Sequence, residues 1–166
     1  MRLLFFHGAG GFDDDRAIAD DLGRALGSPI NVPRLPDEDM SLEAWATPIR
    51  RSLGELRADD AVVAHSFGAS VLLHVLAEGV PAPSKVVLLA MPNWGPNGWD
   101  VEDYAFGGTE PLLPFSLHHC RDDEVVPFVH LALNAAELPS ARVREHASGG
   151  HQFDGLADTI SADLVG

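Results

Sequence analysis

Short apolar runs alternate along this chain with segments whose apolar residues recur at helical spacing, and this alternation limits the possible folds more than any other feature. The predicted strands are 3–6, 30–34, 61–65, 85–90, 115–120 and 141–146, and the predicted helices are 13–26, 41–56, 67–78, 128–137 and 156–164. Strands that alternate with helices predict a mostly parallel sheet of about six strands with helices on both faces. This is a three-layer α/β/α fold.

Local signals mark the boundaries of two of these helices. We expect Asp13 to cap the first helix, with Asp14 and Asp15 in its first turn and Gly27 just after its last residue. The dipeptide Thr47-Pro48 lies inside the second helical segment, where a proline either kinks a helix or begins a new one. The sequence leaves these two alternatives open.

The length of 166 residues predicts a single domain spanning positions 1–166. With 46% hydrophobic residues, such a chain can bury roughly 70% of its unfolded surface. Its 25 acidic residues outnumber its 11 basic ones, and the net charge is −14. Because nucleic acids and anionic membrane surfaces both attract clusters of Lys and Arg, we expect neither as a partner.

The cysteine content and the terminal sequence bear on the cellular compartment. Cys120 is the only cysteine, so no disulfide can form within the chain, which suits a reducing cytoplasm. The N-terminal apolar run between Arg2 and Gly8 is too short for a signal peptide. No apolar run approaches the roughly 18 residues that a membrane span requires. We therefore expect a cytoplasmic protein without a membrane span.

The clearest chemical signal follows the third predicted strand. The run AVVAHSFGAS at 61–70 passes from an apolar strand through Ser66 into a helix, with the small residues Ala64 and Gly68 two positions to either side. So sharp a turn lifts the serine hydroxyl clear of the sheet, and it brings the two backbones so close that larger flanking side chains would collide. This is the sequence form of a nucleophile elbow, and it predicts that Ser66 is the nucleophile of a serine hydrolase.

A nucleophilic serine needs a base to take its proton and an acid to orient that base. The acid candidate is Asp123, which follows the strand 115–120 within the run RDDEVVP. Asp122 is adjacent and remains an alternative, and a solvated acidic turn is the alternative without chemistry.

The base candidate is His151, in the glycine-rich run SGGHQF between the last predicted strand and the last predicted helix. Glycines leave the backbone free to turn an imidazole toward the serine. Other histidines downstream of Ser66 fall within predicted strands or a predicted helix and lack this loop context, among them His118, His119, His130 and His146.

The run HGAGG at 7–11 directly follows the first strand and can direct backbone N–H groups at a developing oxyanion. We expect one donor to be the N–H of Phe67, at a helix N-terminus where the dipole favours negative charge. The second donor is the N–H of Ala9 or of Gly10. The alternative is an ordinary strand-to-helix turn.

The sequence predicts neither a cofactor nor a metal ion. The glycine run at 8–11 lacks the Gly-Lys-Ser/Thr of a phosphate-binding loop and the spacing of a dinucleotide fingerprint, and the aspartates at 13–15 would repel phosphate. The cluster at 118–120, His-His-Cys, lies on a predicted strand, where successive side chains point to opposite faces and do not converge on one ion.

A long irregular stretch, 91–114, holds four large aromatic residues among glycines and prolines. Long loops in compact domains are usually functional or disordered, and so many aromatic residues argue against disorder. We expect Trp94, Trp99 and Phe106 to contact a small-molecule acyl substrate. The alternative is that these rings only pack the loop onto the body of the protein.

These elements together, in this chain order, resemble the α/β-hydrolase superfamily, and the resemblance runs from about Leu3 to Leu164. The shortness of the chain is similar to that of the small members, the retinoblastoma-binding-protein-like serine hydrolases and short bacterial esterases. The resemblance implies a sheet without the first two strands of the full fold and without a cap domain. It also implies Ser66, His151 and Asp123 as the triad, since the acid loop of the family has an aspartate, two apolar residues and a proline. Ala64 departs from the usual first glycine of the elbow.

The resulting functional hypothesis is acyl transfer to water from an ester, thioester or activated amide. One alternative is a protein-interaction module on a hydrolase scaffold, with weak or incidental turnover, although nothing in the sequence supports a particular protein partner. Another is a cofactor-free perhydrolase, which the same triad can support.

Overall fold

The computed structural model describes residues 1–83 and 85–165, so residues 84 and 166 of the predicted domain lie outside it. The strands it contains are β1 (Leu3–Phe6), β2 (Ile30–Asn31), β3 (Ala61–His65), β4 (Lys85–Leu89), β5 (Phe115–Cys120) and β6 (Arg142–His146). The helices are α1 (Arg16–Leu26), α2 (Leu42–Gly54), α3 (Phe67–Ala77), α4 (Val129–Glu137) and α5 (Ala157–Val165), with a 3₁₀ turn at Glu102–Tyr104.

The described strands form one sheet in the order β2-β1-β3-β4-β5-β6, and every neighbouring pair is parallel. Phe6 lies opposite Ala64, Leu89 opposite His118, and Cys120 opposite His146. Because the strands run the same way, the loops that follow β1, β3, β5 and β6 emerge at one edge of the sheet. Ligand sites of open α/β sheets lie at this edge.

Helices cover both faces of the sheet, because successive side chains of a buried strand point to opposite sides. Leu4 and Phe6 of β1 join a core on the side of α2, α3 and α4, in which Trp45 is fully buried. Leu3 and Phe5 of the same strand join a second core against α1 and α5. The predicted three-layer α/β/α architecture is confirmed.

The start of the first helix was predicted wrongly. Helix α1 begins at Arg16, so Asp13 is not its cap, and neither Asp14 nor Asp15 lies in its first turn. Asp15 occupies the cap position but makes no capping hydrogen bond, because its carboxylate binds the Gly8 N–H instead, at 2.8 Å. The predicted C-terminal signal is confirmed, since Gly27 has φ 57°, in the left-handed region that favours glycine.

Other predicted boundaries differ by up to three residues, and the structure also resolves the alternatives left open at Pro48. Strand β2 covers only residues 30–31 and not 30–34. Helix α2 runs through Pro48 as a single helix, so this proline does not begin a second segment. Its N-terminus is capped by Ser41, whose hydroxyl accepts the Ala44 N–H at 3.4 Å.

Candidate active site

Ser66 stands alone between the last residue of β3 and the first residue of α3. Its backbone has φ 52° and ψ −123°, which residues with a side chain rarely adopt and which costs roughly 1–3 kcal/mol. The Ser66 N–H donates to the carbonyl of Leu89 on the neighbouring strand at 2.8 Å. This turn has the geometry that the sequence predicts for an elbow, and such strain is concentrated at functional sites.

The glycine two positions after Ser66 is sterically required. A Cβ at Gly68 would lie 2.3 Å from the carbonyl oxygen of His7, which belongs to the neighbouring loop. Because that obstacle is backbone, no side-chain rotation relieves it. On the other side of the serine, Ala64 is fully buried.

We predict that Gly68→Ala lowers the free energy of unfolding by about 3 kcal/mol, because α3 and the loop after β1 must separate to admit a methyl group. The matched control is Gly54→Ala in α2, where a Cβ would meet nothing within 4 Å. Alanine there is expected to be neutral or to stabilise by up to about 1 kcal/mol. Urea unfolding of both variants measures the difference, and equal midpoints would contradict the steric argument.

The structure places the ring of His151 against Asp123. His151 Nδ1 lies 3.0 Å from Asp123 Oδ2 and 3.1 Å from Oδ1. The carboxylate of Asp122 points elsewhere and accepts the backbone N–H groups of Gly149 and Gly150, at 3.3 and 2.9 Å. Asp123 is thus the aspartate that faces the imidazole, and Asp122 holds the loop that carries it.

Electrostatics keep Asp123 ionised. Burial by itself would raise the pKa of this carboxyl. Hydrogen bonds from His119, from His151 and from two backbone N–H groups outweigh burial and hold the pKa well below its usual range. An ionised carboxylate only accepts, so Nδ1 of His151 carries the proton that it donates to Asp123. Nε2 of the same ring is then free to act as a base.

Ser66 and His151 line one cavity of about 390 Å³ at the carboxyl edge of the sheet. Among the described residues, no hydrogen bond joins the Ser66 hydroxyl to the His151 ring in this conformation. Without a bound substrate, such hydrogen bonds are often long or poorly aligned, and they tighten in the complex. The cavity therefore brings the predicted nucleophile and the predicted base to the same space.

The loop after β1 also borders this cavity, through Gly8, Ala9 and Gly11. The N–H of Gly10 donates to Asp37 at 2.7 Å, and the N–H of Gly8 is bound by Asp15. Within the described residues the N–H groups of Ala9 and Phe67 have no acceptor. Of the two donors that the sequence left open, Ala9 is thus the one with its N–H free.

A buried histidine fixes the shape of this loop. The backbone N–H of Leu35 donates to His7 Nε2 at 2.9 Å, so the ring proton sits on Nδ1 and is donated to the carbonyl of Gly8 at 2.7 Å. The ring of His7 also packs edge-on against Trp45, at 5.6 Å between centroids. Gly8 has little room for a side chain, since a Cβ at this position would lie 3.0 Å from the Cβ of Ser66.

The irregular stretch 91–114 supplies an aromatic wall of the cavity through Trp94, Trp99 and Tyr104. Trp94 donates its indole N–H to the Ser70 hydroxyl at 2.8 Å, and Tyr104 donates its hydroxyl to the Met40 carbonyl at 2.8 Å. With these polar atoms engaged, the rings present apolar surface to the cavity.

Phe106, the third aromatic residue predicted to contact substrate, is not brought to this cavity. Its ring packs 5.6 Å from the ring of His74 on α3 and lines a separate crevice. Tyr104 takes a position in the wall that the sequence analysis did not assign to it.

The sequence analysis also missed two buried polar residues beside the site, Asp15 and His65, each about 1% exposed. Asp15 was interpreted as part of a helix start, and His65 as the last residue of a strand. They lie 50 positions apart and meet through a 2.8 Å contact between His65 Nδ1 and Asp15 Oδ2. No local pattern signals such a contact.

In the part of the chain that the structure describes, no group of three or more His, Cys, Asp or Glu is arranged to hold a metal ion. His118 and His119 point to opposite faces of β5, as expected for a strand: His118 contacts His146, while His119 lies by the Val126 carbonyl. None of the described helices has both the length and the apolar character needed to cross a lipid bilayer.

No family model matches the sequence, and no curated protein matches it. Solved structures do resemble it. The ydeN gene product of B. subtilis has a TM-score of 0.78 at 17% identity, over 98% of this chain and 97% of that one. Mouse alpha/beta hydrolase domain-containing protein 10 has a TM-score of 0.72 at 14% identity, over 98% and 86%.

A thioesterase, RedJ from the prodiginine biosynthetic pathway of Streptomyces coelicolor, has a TM-score of 0.70 at 16% identity, over 98% of this chain and 85% of that one. At these identities the likeness concerns the fold, and it extends over nearly the whole chain. It agrees with the parallel sheet and the three layers. The chain has the α/β-hydrolase fold.

Proposed function

We propose that the protein is a serine hydrolase that cleaves a carboxylic ester, thioester or activated amide through a Ser66–His151–Asp123 triad. The observation that carries the proposal is the contact between His151 Nδ1 and the ionised Asp123, at the rim of a cavity that also contains the strained Ser66. The buried carboxylate of Asp123 holds Nδ1 of the imidazole and leaves Nε2 to act as a base. A serine hydroxyl needs such a base before it can attack a carbonyl.

In the proposed reaction, Ser66 Oγ attacks the substrate carbonyl carbon while His151 Nε2 takes the hydroxyl proton. The carbonyl electrons move to its oxygen, and the N–H groups of Ala9 and Phe67 stabilise the resulting oxyanion. Collapse of this intermediate breaks the bond to the leaving alcohol, thiol or amine, which takes the proton from His151. Water then attacks the acyl-enzyme, with His151 again as the base, and frees the acid and the Ser66 hydroxyl.

The cavity supports an apolar acyl group of modest size. Its walls near Ser66 include Phe67, Trp94 and Trp99, and a volume of about 390 Å³ falls at the small end of ligand pockets. Esters of short or medium chain length are the simplest substrates of this kind. The thioesterase among the structures of this fold adds acyl thioesters as a class to test.

The deciding experiment combines active-site labelling with turnover. A fluorophosphonate probe should phosphonylate Ser66, located by peptide mass spectrometry, and p-nitrophenyl esters from acetate to octanoate should be hydrolysed. Heat-unfolded protein is the labelling control. A folded protein that neither reacts with the probe nor hydrolyses any ester or thioester would overturn the proposal and favour a protein-interaction module.

We predict that Trp99→Ala shifts the preference toward longer acyl chains by about tenfold in the ratio of kcat/KM values. Removing the ring makes room for additional methylenes of the substrate, and each methylene bound in a hydrophobic pocket is worth about 1–3 kcal/mol. Trp99 is suited to this test because it is 39% exposed, so its loss spares the core.

The matched control for the pocket wall is Phe106→Ala, in the same loop but outside the cavity. This variant should lower the melting temperature and leave the chain-length profile unchanged. If Trp99→Ala changes only the melting temperature, or if Phe106→Ala shifts the profile, the assignment of the wall is wrong.

A further inference from the structure

A second histidine lies directly behind the proposed catalytic base. His65 precedes Ser66 in the chain, and its ring centroid lies 4.5 Å from that of His151. His65 Nε2 is 2.8 Å from the backbone carbonyl oxygen of His151, and its Nδ1 is 2.8 Å from Asp15 Oδ2. Both ring nitrogens of His65 are therefore in hydrogen-bond contact, each with an oxygen.

The chemistry of these partners determines where the protons lie. A backbone carbonyl can only accept a hydrogen bond, so Nε2 of His65 must donate to His151. Asp15 Oδ2 already accepts the N–H of Gly8 at 2.8 Å, as a carboxylate does. Nδ1 of His65 then also donates, and the ring carries two protons. Against an ionised Asp15, a neutral imidazole has only one N–H and would leave one of these contacts without a hydrogen.

The surroundings are consistent with a buried ion pair. Both side chains are about 1% exposed, and a buried charge is tolerated only when it is paired and hydrogen-bonded. Burial by itself would raise the pKa of the Asp15 carboxyl, but hydrogen bonds from His65 and from the Gly8 N–H outweigh it, and the pKa is lowered. An ionised Asp15 is the partner that a doubly protonated His65 requires.

The pair connects the two loops that the proposed reaction depends on. Through the carbonyl of His151 it holds the backbone of the base, and through the N–H of Gly8 it holds the loop that presents the N–H of Ala9. We propose that His65 and Asp15 are positioning residues. A doubly protonated His65, paired with Asp15, holds the loop of His151 and the loop at 7–11 in place around Ser66. The positioning role rests on the proposed function, whereas the protonated pair does not.

Two substitutions separate the two hydrogen bonds of His65. In His65→Gln the side-chain amide can take the place of Nε2 and still donate to the His151 carbonyl, while in His65→Asn it can take the place of Nδ1 and donate only to Asp15. We expect His65→Asn to lower kcat about 30-fold or more with KM nearly unchanged, because small displacements of catalytic groups can cost up to about a hundredfold. His65→Gln should stay within about fivefold of the wild type.

The matched control is a second buried histidine–aspartate pair outside the cavity, in which His118 Nε2 lies 3.2 Å from Asp163 Oδ2. His118→Gln and His118→Asn should both destabilise the fold and leave kcat within about twofold. A role for His65 in packing alone would make its two variants lose kcat equally and in step with their melting temperatures. That result would overturn the positioning role.

Nitrogen-15 NMR of the wild-type imidazole rings tests the protonated pair without reference to activity, with His65→Gln used to assign the signals. Both ring nitrogens of His65 should show the chemical shift of N–H nitrogens at neutral pH. An unprotonated nitrogen in that ring would overturn the pair. Wild-type protein with the protonated pair but without turnover would overturn the proposed function and the positioning role, and would leave the pair established.

Discussion

If Ser66 is the nucleophile as proposed, its replacement by alanine is expected to lower kcat for ester hydrolysis by about a million-fold and to abolish fluorophosphonate labelling, as loss of the nucleophile does in known serine hydrolases. The reason is that no acyl-enzyme can form once the hydroxyl is gone. The residual rate should still exceed that of water alone, because the N–H groups of Ala9 and Phe67 remain to polarise a bound carbonyl.

The Ser66→Ala variant should fold as the wild type does. Alanine at position 66 keeps the same Cβ and meets the same positive φ of 52°, so the backbone strain is unchanged. Single-turnover kinetics measure the loss of the chemical step, and the melting temperature measures the stability of the fold. Ser161→Ala, on α5 and away from the cavity, removes a hydroxyl that donates to the Asp158 carbonyl and should leave kcat unchanged. A Ser66→Ala protein with more than a tenth of the wild-type kcat would place the nucleophile elsewhere.

Replacement of Asp123 by asparagine is expected to lower kcat by about ten-thousand-fold, the effect of the equivalent change in a serine protease triad. Asparagine can donate its own N–H to His151 Nδ1, which would force the ring proton onto Nε2. A protonated Nε2 is unable to accept the Ser66 proton. The substitution therefore removes the base while it retains the shape of the side chain.

Asp122→Asn is the matched control one residue away. Its carboxylate accepts the N–H groups of Gly149 and Gly150 and does not contact the imidazole. An asparagine oxygen can still accept one of these hydrogen bonds, so we expect kcat to fall less than about tenfold. The comparison is made at pH 7 with both variants checked by circular dichroism. A larger loss in Asp122→Asn than in Asp123→Asn would exchange the two proposed roles.

The sequence predicts most of the fold because buried strands and amphipathic helices each leave a local period in the chain. The predicted start of α1 was wrong because aspartate favours helix caps in general, and nothing local distinguishes Asp13 from the two aspartates after it. Asp15 occupies the cap position, and its carboxylate contacts Gly8 and His65. Strand β2 is shorter than its predicted run. It lies at the sheet edge beside β1, where pairing ends after Asn31.

For the candidate site, the positions of Ser66, Asp123 and His151 could be predicted from residue types in loops that follow strands. The partners of these residues could not, since His65 and Asp15 meet only through tertiary structure. The directions of the side chains in the stretch 91–114 could not be predicted either, because irregular backbone has no repeating pattern of side-chain directions. This is why Phe106 was expected at the cavity where Tyr104 lies.

The parallel order of the strands has one more consequence. The proposed nucleophile follows β3, the proposed acid follows β5 and the proposed base follows β6, and β4 lies between β3 and β5 in the sheet. The shortest stretch that contains all three groups runs from Ser66 to His151, and the loop after β1 must pack against it as well. The proposed triad is therefore assembled only in the complete sheet, after the edge strand β6 has paired with β5.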